Sequence, residues 1–185
     1  MPIRLSIDVD VPTTGVVVGP AGGQLLDTRI QNVRLDATSN EQLMALANAG
    51  AAAFGHTATL QVEPALAQLL RLRVAQINNC SYCLLVHHAA ARTADIPPSK
   101  VETLTAWWET HLFTEKERAA LAYAEALTRA ADATVNNRVQ EAHDRMATHF
   151  TEDEILEIVA VVINMNIWTR LKLAEGAMPT AAPPV

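Results

Sequence analysis

Aromatic side chains make up only 4% of this chain: three Trp, two Tyr and three Phe. A core so poor in rings has to be built from Ala, Leu, Val and Ile, which suits close-packed helices. There are only two cysteines, Cys80 and Cys83, with two residues between them. That excludes a framework of structural disulfides and leaves redox chemistry or metal binding as uses for the pair. No apolar run reaches the ~18–20 residues a membrane-crossing helix needs. Basic charge is also in deficit, with 14 Lys and Arg against 20 Asp and Glu and a net charge of −6. No basic field is present to draw nucleic acid or anionic lipid. The first residues, MPIRLSID, show no basic region followed by an apolar stretch, so no secretion signal is read there. A cytoplasmic protein is expected.

Half of the 185 residues are hydrophobic, enough for one domain with a substantial core. Residues 1–36 differ in pattern from the rest of the chain. They alternate apolar and polar at RLSIDVDV, place three valines between Gly15 and Gly19, and turn at Pro20. They read as an extended N-terminal arm, lying on the helical body or reaching a neighbouring subunit. Residues 37–176 read as a helical domain, and 177–185, rich in Pro and Ala, as a flexible tail.

Within the helical part, helix starts are written in capping residues. Ser39-Asn40-Glu41 opens a first helix with Leu43, Leu46, Ala47 and Phe54 on one stripe. Gly50 on that stripe marks either a weak helix or a close packing contact. Pro64 suits a first turn and leads into Leu66, Leu69, Leu70, Leu72, Val74 and Ile77. Capping boxes are expected at Ser99, Thr114 and Thr151, and Gly176 ends the last and most hydrophobic helix. The total is an all-α fold of about six to eight helices. The apolar character of residues 155–173 predicts an oligomer.

The chemistry concentrates in residues 76–88, QINNCSYCLLVHH. In a helix, Cys80, Cys83 and His87 fall at i, i+3 and i+7, which puts both sulfurs and one imidazole on one face. Asn78 or Asn79 would cap that helix and leave Cys80 in its first turn. Unpaired N–H groups there and a neighbouring His both favour a thiolate. A free cysteine is about 3% thiolate at pH 7, and a drop of roughly 1.5 units would make it about half thiolate. The helix terminus favours Cys80 as the lower-pKa sulfur, and His87 favours Cys83. His88 points about 100° away. Tyr82, between the cysteines, either lines the site or packs. A zinc site on Cys80, Cys83 and His87, with His88 or His111, is the weaker use of the same residues, because no second CxxC is present. No metal and no cofactor is expected. His56, His111, His143 and His149 read as surface or satisfied core residues, Trp107, Trp108 and Trp168 as core or subunit contacts, and Asn164 and Asn166 as helix–helix or intersubunit hydrogen bonds.

The stretch LRVAQINNCSYCLLVH resembles the signature of the carboxymuconolactone decarboxylase superfamily, and within it the alkylhydroperoxidase D (AhpD)-like branch with CxxC followed by His four residues later. TEKERAALAYAEALT, from Thr114, is similar to that family's next helix. Asn166-Ile-Trp-Thr-Arg170 is similar to its closing Asn-x-Trp-Asn-Arg, with Thr169 in place of the second Asn. The likeness covers about residues 40–175 and leaves the arm unexplained.

The resemblance implies an all-α domain assembling as a homotrimer or homohexamer. It implies a thiol-dependent alkylhydroperoxide reductase or disulfide oxidoreductase, with a hydroperoxide as substrate and a thiol or disulfide reductant as partner. It makes Cys83 the attacking thiol, Cys80 the resolving partner and His87 part of a proton relay. One departure stands out: the relay of the family includes a Glu twelve residues before the first cysteine, where this chain has Gln68. Gln orients an imidazole but carries no proton at neutral pH, and losing a general acid or base costs ~10²–10⁴-fold in rate. Glu63 stands on a different helix face. Two other readings therefore remain. One is a carboxymuconolactone decarboxylase-like enzyme, which paired thiols argue against. The other is a redox-sensing oligomeric protein with weakened peroxidase activity.

Overall fold

The structure, a computed structural model, describes residues 34–132 and 138–177. The expected arm and tail lie outside them except for residues 34–36 and 177. The described residues are all-α. A 3₁₀ turn at Ala37–Ser39 leads into α1 (Glu41–Phe54), followed by α2 (Pro64–Ile77), α3 (Ser81–Thr93) and α4 (Pro98–Thr103). After a second 3₁₀ stretch at Leu104–Glu109 come α5 (Glu115–Thr128), α6 (Arg138–Met146) and α7 (Glu152–Glu175). No helix among these residues is long and apolar enough to cross a membrane.

The helix starts follow from local chemistry. Pro64 occupies the first position of α2, where its missing N–H costs nothing. Thr114 and Thr151 each form a complete capping box, with Glu117 and Glu154 reaching back to the cap N–H. Gly176 takes a left-handed φ of 68° and closes α7 with backbone bonds to Leu173 and Lys172. Asn40 caps α1 through its Oδ1, 2.9 Å from the N–H of Leu43. The expected box at Ser99 does not form. Pro97 and Pro98 start α4 without a side-chain cap, because their fixed φ begins the helix ahead of the serine.

Helix α2 is the axis of the body. Every residue from Leu66 to Ala75 is buried, and α2 packs against α3, α5 and α7. A helix apolar on all sides has no preferred rotation in its socket. Three buried polar residues supply one. Gln68 bonds to α3. Arg71 donates to the carbonyls of Phe54 and Gly55 at the end of α1, at 2.9 and 2.8 Å. Arg73 meets Glu125 of α5 at 2.6 Å, and that carboxylate also accepts the Trp107 indole N–H at 2.7 Å. Such directional bonds fix register where apolar packing alone does not.

Helix α1 lies against α7. Of its expected apolar stripe, Ala47 is buried while Leu43 and Leu46 are exposed. Gly50 is a close packing contact: a Cβ there would stand 2.8 Å from Asn164 Oδ1. The Asn166 reading holds as a helix–helix bond, since its Oδ1 accepts from Asn78 Nδ2 at 3.2 Å, joining α7 to the end of α2.

Candidate active site

The turn between α2 and α3 aims the cysteines. Asn79 adopts a left-handed φ of 51°, a conformation Asn tolerates. The chain then extends at Cys80, and α3 starts at Ser81. The cap is therefore Cys80 itself and not an asparagine. Its Sγ accepts the N–H of Cys83 at 3.3 Å. Asn78 instead ends α2, bonding the Val74 carbonyl at 2.9 Å. The two sulfurs are joined as a disulfide, with Cα atoms 5.3 Å apart, inside the range that such a bridge requires.

A cavity of about 260 Å³ opens beside α3. Cys83, Tyr82 and His87 line it, and Cys80, 1% exposed, does not. Its other walls come from the end of α1 with His56, from Arg71 of α2, and from Asn164, Met165, Trp168 and Lys172 of α7. Four elements thus meet at a cavity that the buried Cys83 borders.

Gln68 stands behind His87. Its Nε2 lies 2.9 Å from the His87 carbonyl oxygen and 3.1 Å from Nδ1 of the ring. The carbonyl can only accept, so the amide nitrogen is the atom turned toward both. Nδ1 then accepts the second N–H, and the imidazole carries its proton on Nε2. The ring is neutral. Burial, followed by the charges of Arg71, His56 and His88, pulls its pKa down to about 3. His56 meets the ring edge-on with centroids 6.1 Å apart, and its own pKa is lowered by burial and by Arg71.

Arg71 is 3% exposed. Its Nη2 serves two carbonyls, while its Nε has no partner. Burial lowers its pKa to about 10, opposed by the charge of Glu157. That carboxylate is itself spent on the N–H groups of Gln61 and Val62, at 3.0 and 2.7 Å.

The residues Cys83, Cys80, His87, Gln68 and Tyr82, singled out in sequence, form one constellation. Glu63 is exposed at the cap of α2 and takes no part. His88 does not line the cavity. Arg71 escaped the sequence reading. His56, read there as a surface or satisfied core residue, Asn164, read as a hydrogen-bonding residue although its Oδ1 has no partner, and Trp168, read as core or subunit contact, are cavity walls. Among the described residues no group of three or more His, Cys, Asp or Glu is placed to hold a metal ion.

Fold and site together define an all-α domain that presents a CxxC pair at a helix start over a small cavity. Residues 46–126, less than half of the chain, match the model of the carboxymuconolactone decarboxylase family, in line with the resemblance read from the sequence. The uncharacterized protein YdfG of Bacillus subtilis is 28% identical over 109 residues, which is 59% of this chain and 72% of that protein. A solved structure from Agrobacterium tumefaciens, a protein of unknown function proposed as the antioxidant defence protein AhpD, superposes with a TM-score of 0.67 at 23% identity. It covers 80% of this chain and 99% of that one. An uncharacterized peroxidase-related protein from Silicibacter gives 0.62 at 24%, covering 77% of this chain and 72% of that one. At these identities the structural likeness speaks for the fold.

Proposed function

We propose that this chain is a thiol-dependent hydroperoxide reductase working through Cys83 and Cys80. The observation that carries the reading is the paired sulfurs with Cys83 alone facing the cavity. The Cys83 thiolate attacks the terminal oxygen of a hydroperoxide, the O–O bond breaks, and the alkoxide leaves and takes a proton. Cys83 is now a sulfenic acid. The Cys80 thiol condenses with it, forming the disulfide and releasing water. A dithiol reductant reopens the bond and is oxidised to its own disulfide. The sum is one hydroperoxide and two thiols converted to alcohol, water and disulfide.

His87 serves this cycle as a hydrogen-bond donor through Nε2–H, steadying charge on the thiolate or on the departing oxygen. His56, on the same cavity, is the group free to take a proton. Recycling needs a reducing compartment such as the cytoplasm. Assembly as a homotrimer or homohexamer belongs to the same proposal. Leu46, Leu156 and Ile163 are each more than half exposed in the single chain, which supports it. A light-scattering mass of one subunit, 20.0 kDa, would count against assembly. A second reading, a redox sensor with slowed turnover, is favoured by one observation: the amide of Gln68 occupies Nδ1, where a carboxylate would accept a proton.

The test is a thiol count on reduced protein before and after one equivalent of hydroperoxide, beside Cys80→Ser and Cys83→Ser. Rapid loss of both thiols, with a sulfenic acid trapped in Cys80→Ser alone, supports the reading. Thiols that survive for many minutes overturn it.

A further inference from the structure

A buried guanidinium without an anion is costly, because removing a cation from water has to be offset by charge or by a full set of hydrogen bonds. Arg71 has neither. Among the described residues no carboxylate comes within ion-pair distance of it, and its Nε donates to nothing. It lines the same cavity as Cys83. The other buried side-chain atom without a partner is Asn164 Oδ1, and Asn164 lines that cavity too. Both residues belong to the walls of a single space, and their two unpartnered atoms are themselves enclosed.

The charge of that space has one sign. Arg71 and Lys172 are the charged residues that line it, and no Asp or Glu does. Lys172 is already held by Glu175 at 2.7 Å and lies over the rings of Tyr82 and Trp168. Arg71 is the cation with capacity to spare. The larger cavity beside Trp107 differs, since Glu125 and Glu141 stand among its arginines and Glu125 already pairs with Arg73. The remaining walls of the Cys83 cavity, Val86, Met165 and Trp168, are apolar. Its volume, about 260 Å³, lies just below the ~300–1,000 Å³ of drug-sized sites.

We infer that the cavity takes a small organic substrate with a carboxylate on an apolar body, the carboxylate seating on the Arg71 guanidinium and the body against Val86, Met165 and Trp168. The inference rests on the hydroperoxide reading for its chemistry: the substrate is a carboxylated hydroperoxide. The carboxylate takes no part in the bond changes. It orients the O–O bond toward Cys83.

Binding and turnover test the two readings separately. The oxidised wild-type protein is titrated with 4-isopropylbenzoate and with its neutral isostere 4-isopropylbenzamide, followed by calorimetry and by the Arg71 Nε–H resonance. The acid should bind roughly tenfold tighter or more, as a charge-assisted hydrogen bond requires. It alone should move the Nε–H signal, and Arg71→Met should abolish the preference. Because the Nε–H readout uses wild-type protein, a variant that fails to fold leaves the test intact. Equal binding of acid and amide, or an unmoved Nε–H, overturns the carboxylate site. Reduced protein is then mixed with cumene hydroperoxide and with its para-carboxylate. Faster loss of thiols with the carboxylate supports both readings. If the acid binds at Arg71 and neither peroxide consumes thiols, the site stands and the hydroperoxide reductase reading fails.

Discussion

Gln68 and His87 are joined twice: one amide nitrogen of Gln68 reaches the ring Nδ1 of His87 at 3.1 Å and its backbone oxygen at 2.9 Å. The second contact settles the first. A nitrogen that must donate to a carbonyl also donates to the ring, so the proton of His87 is held on Nε2. A carboxylate in the same place would accept from Nδ1–H and reverse the tautomer. Glu in place of Gln68 would therefore change the direction of a hydrogen bond and the proton that His87 can offer.

Gln68→Glu should give His87 a titratable partner. The expected gain in hydroperoxide turnover is on the order of 10²-fold, the lower end of what general acid–base groups contribute. The same variant should be less stable by about 1–3 kcal/mol, because a carboxylate oxygen would face the His87 carbonyl that the amide now satisfies. Stopped-flow peroxidase assays and urea titration read the two effects. A variant as slow as wild type, with its fold intact, would mean that the tautomer of His87 does not limit the rate.

Acid should weaken the fold through His87. Its folded pKa, about 3, lies below the ordinary value of 6.5. Between those values the unfolded chain holds a proton that the folded chain does not, so stability rises with pH across this window. It is fully present above pH ~6.5 and is lost as pH falls toward ~3, at about 1.4 kcal/mol per unit. From pH ~6.5 to ~4.5 the wild type should lose about 2 kcal/mol more than His87→Asn does, measured by urea unfolding. Parallel losses in both proteins would show that the buried imidazole is not the group responsible.

Much of the frame is legible in the residues alone. Thr114, Thr151, Pro64 and Gly176 mark helix ends by chemistry that acts within four residues, and all four do what their local neighbours dictate. The spacing of Cys80, Cys83 and His87 is likewise a property of one helix. Ser99 misled because two prolines outrank a capping serine. Asn79 misled because it bends the chain and leaves the cap to Cys80. His56, Arg71, Asn164 and Trp168 were hidden for another reason. They stand on three elements that only packing brings to α3, and no spacing in the chain records that. Arg71 left one trace: a cation inside the run from Leu66 to Val74, where a solvated residue has no place.

Once the disulfide is reduced, the two thiols should differ in reach. Both are buried, at 4% exposure for Cys83 and 1% for Cys80, but only Cys83 borders the cavity. Iodoacetamide should label Cys83 at least tenfold faster, reflecting access and thiolate character. Peptide mapping of partly labelled protein gives the ratio. Faster labelling at Cys80 would exchange the roles of attacking and resolving sulfur.

Gly50 and Asn164 offer a sharper test of the cavity wall. A methyl group at position 50 would stand 2.8 Å from Asn164 Oδ1, closer than atoms settle. Two effects oppose each other in Gly50→Ala. Replacing glycine inside α1 gains about 1 kcal/mol of helix propensity, and overpacking costs about 1–3 kcal/mol. The clash should win, giving a net loss of up to about 2 kcal/mol, and it should push Asn164 into the cavity and slow thiol oxidation. Asn164→Ala removes the obstacle, so in that background Gly50→Ala should turn stabilising by about 1 kcal/mol. A double-mutant cycle by thermal or urea unfolding reads the change of sign. If Gly50→Ala costs the same with and without Asn164, the glycine is required by something other than this contact, and the wall of the cavity is set elsewhere.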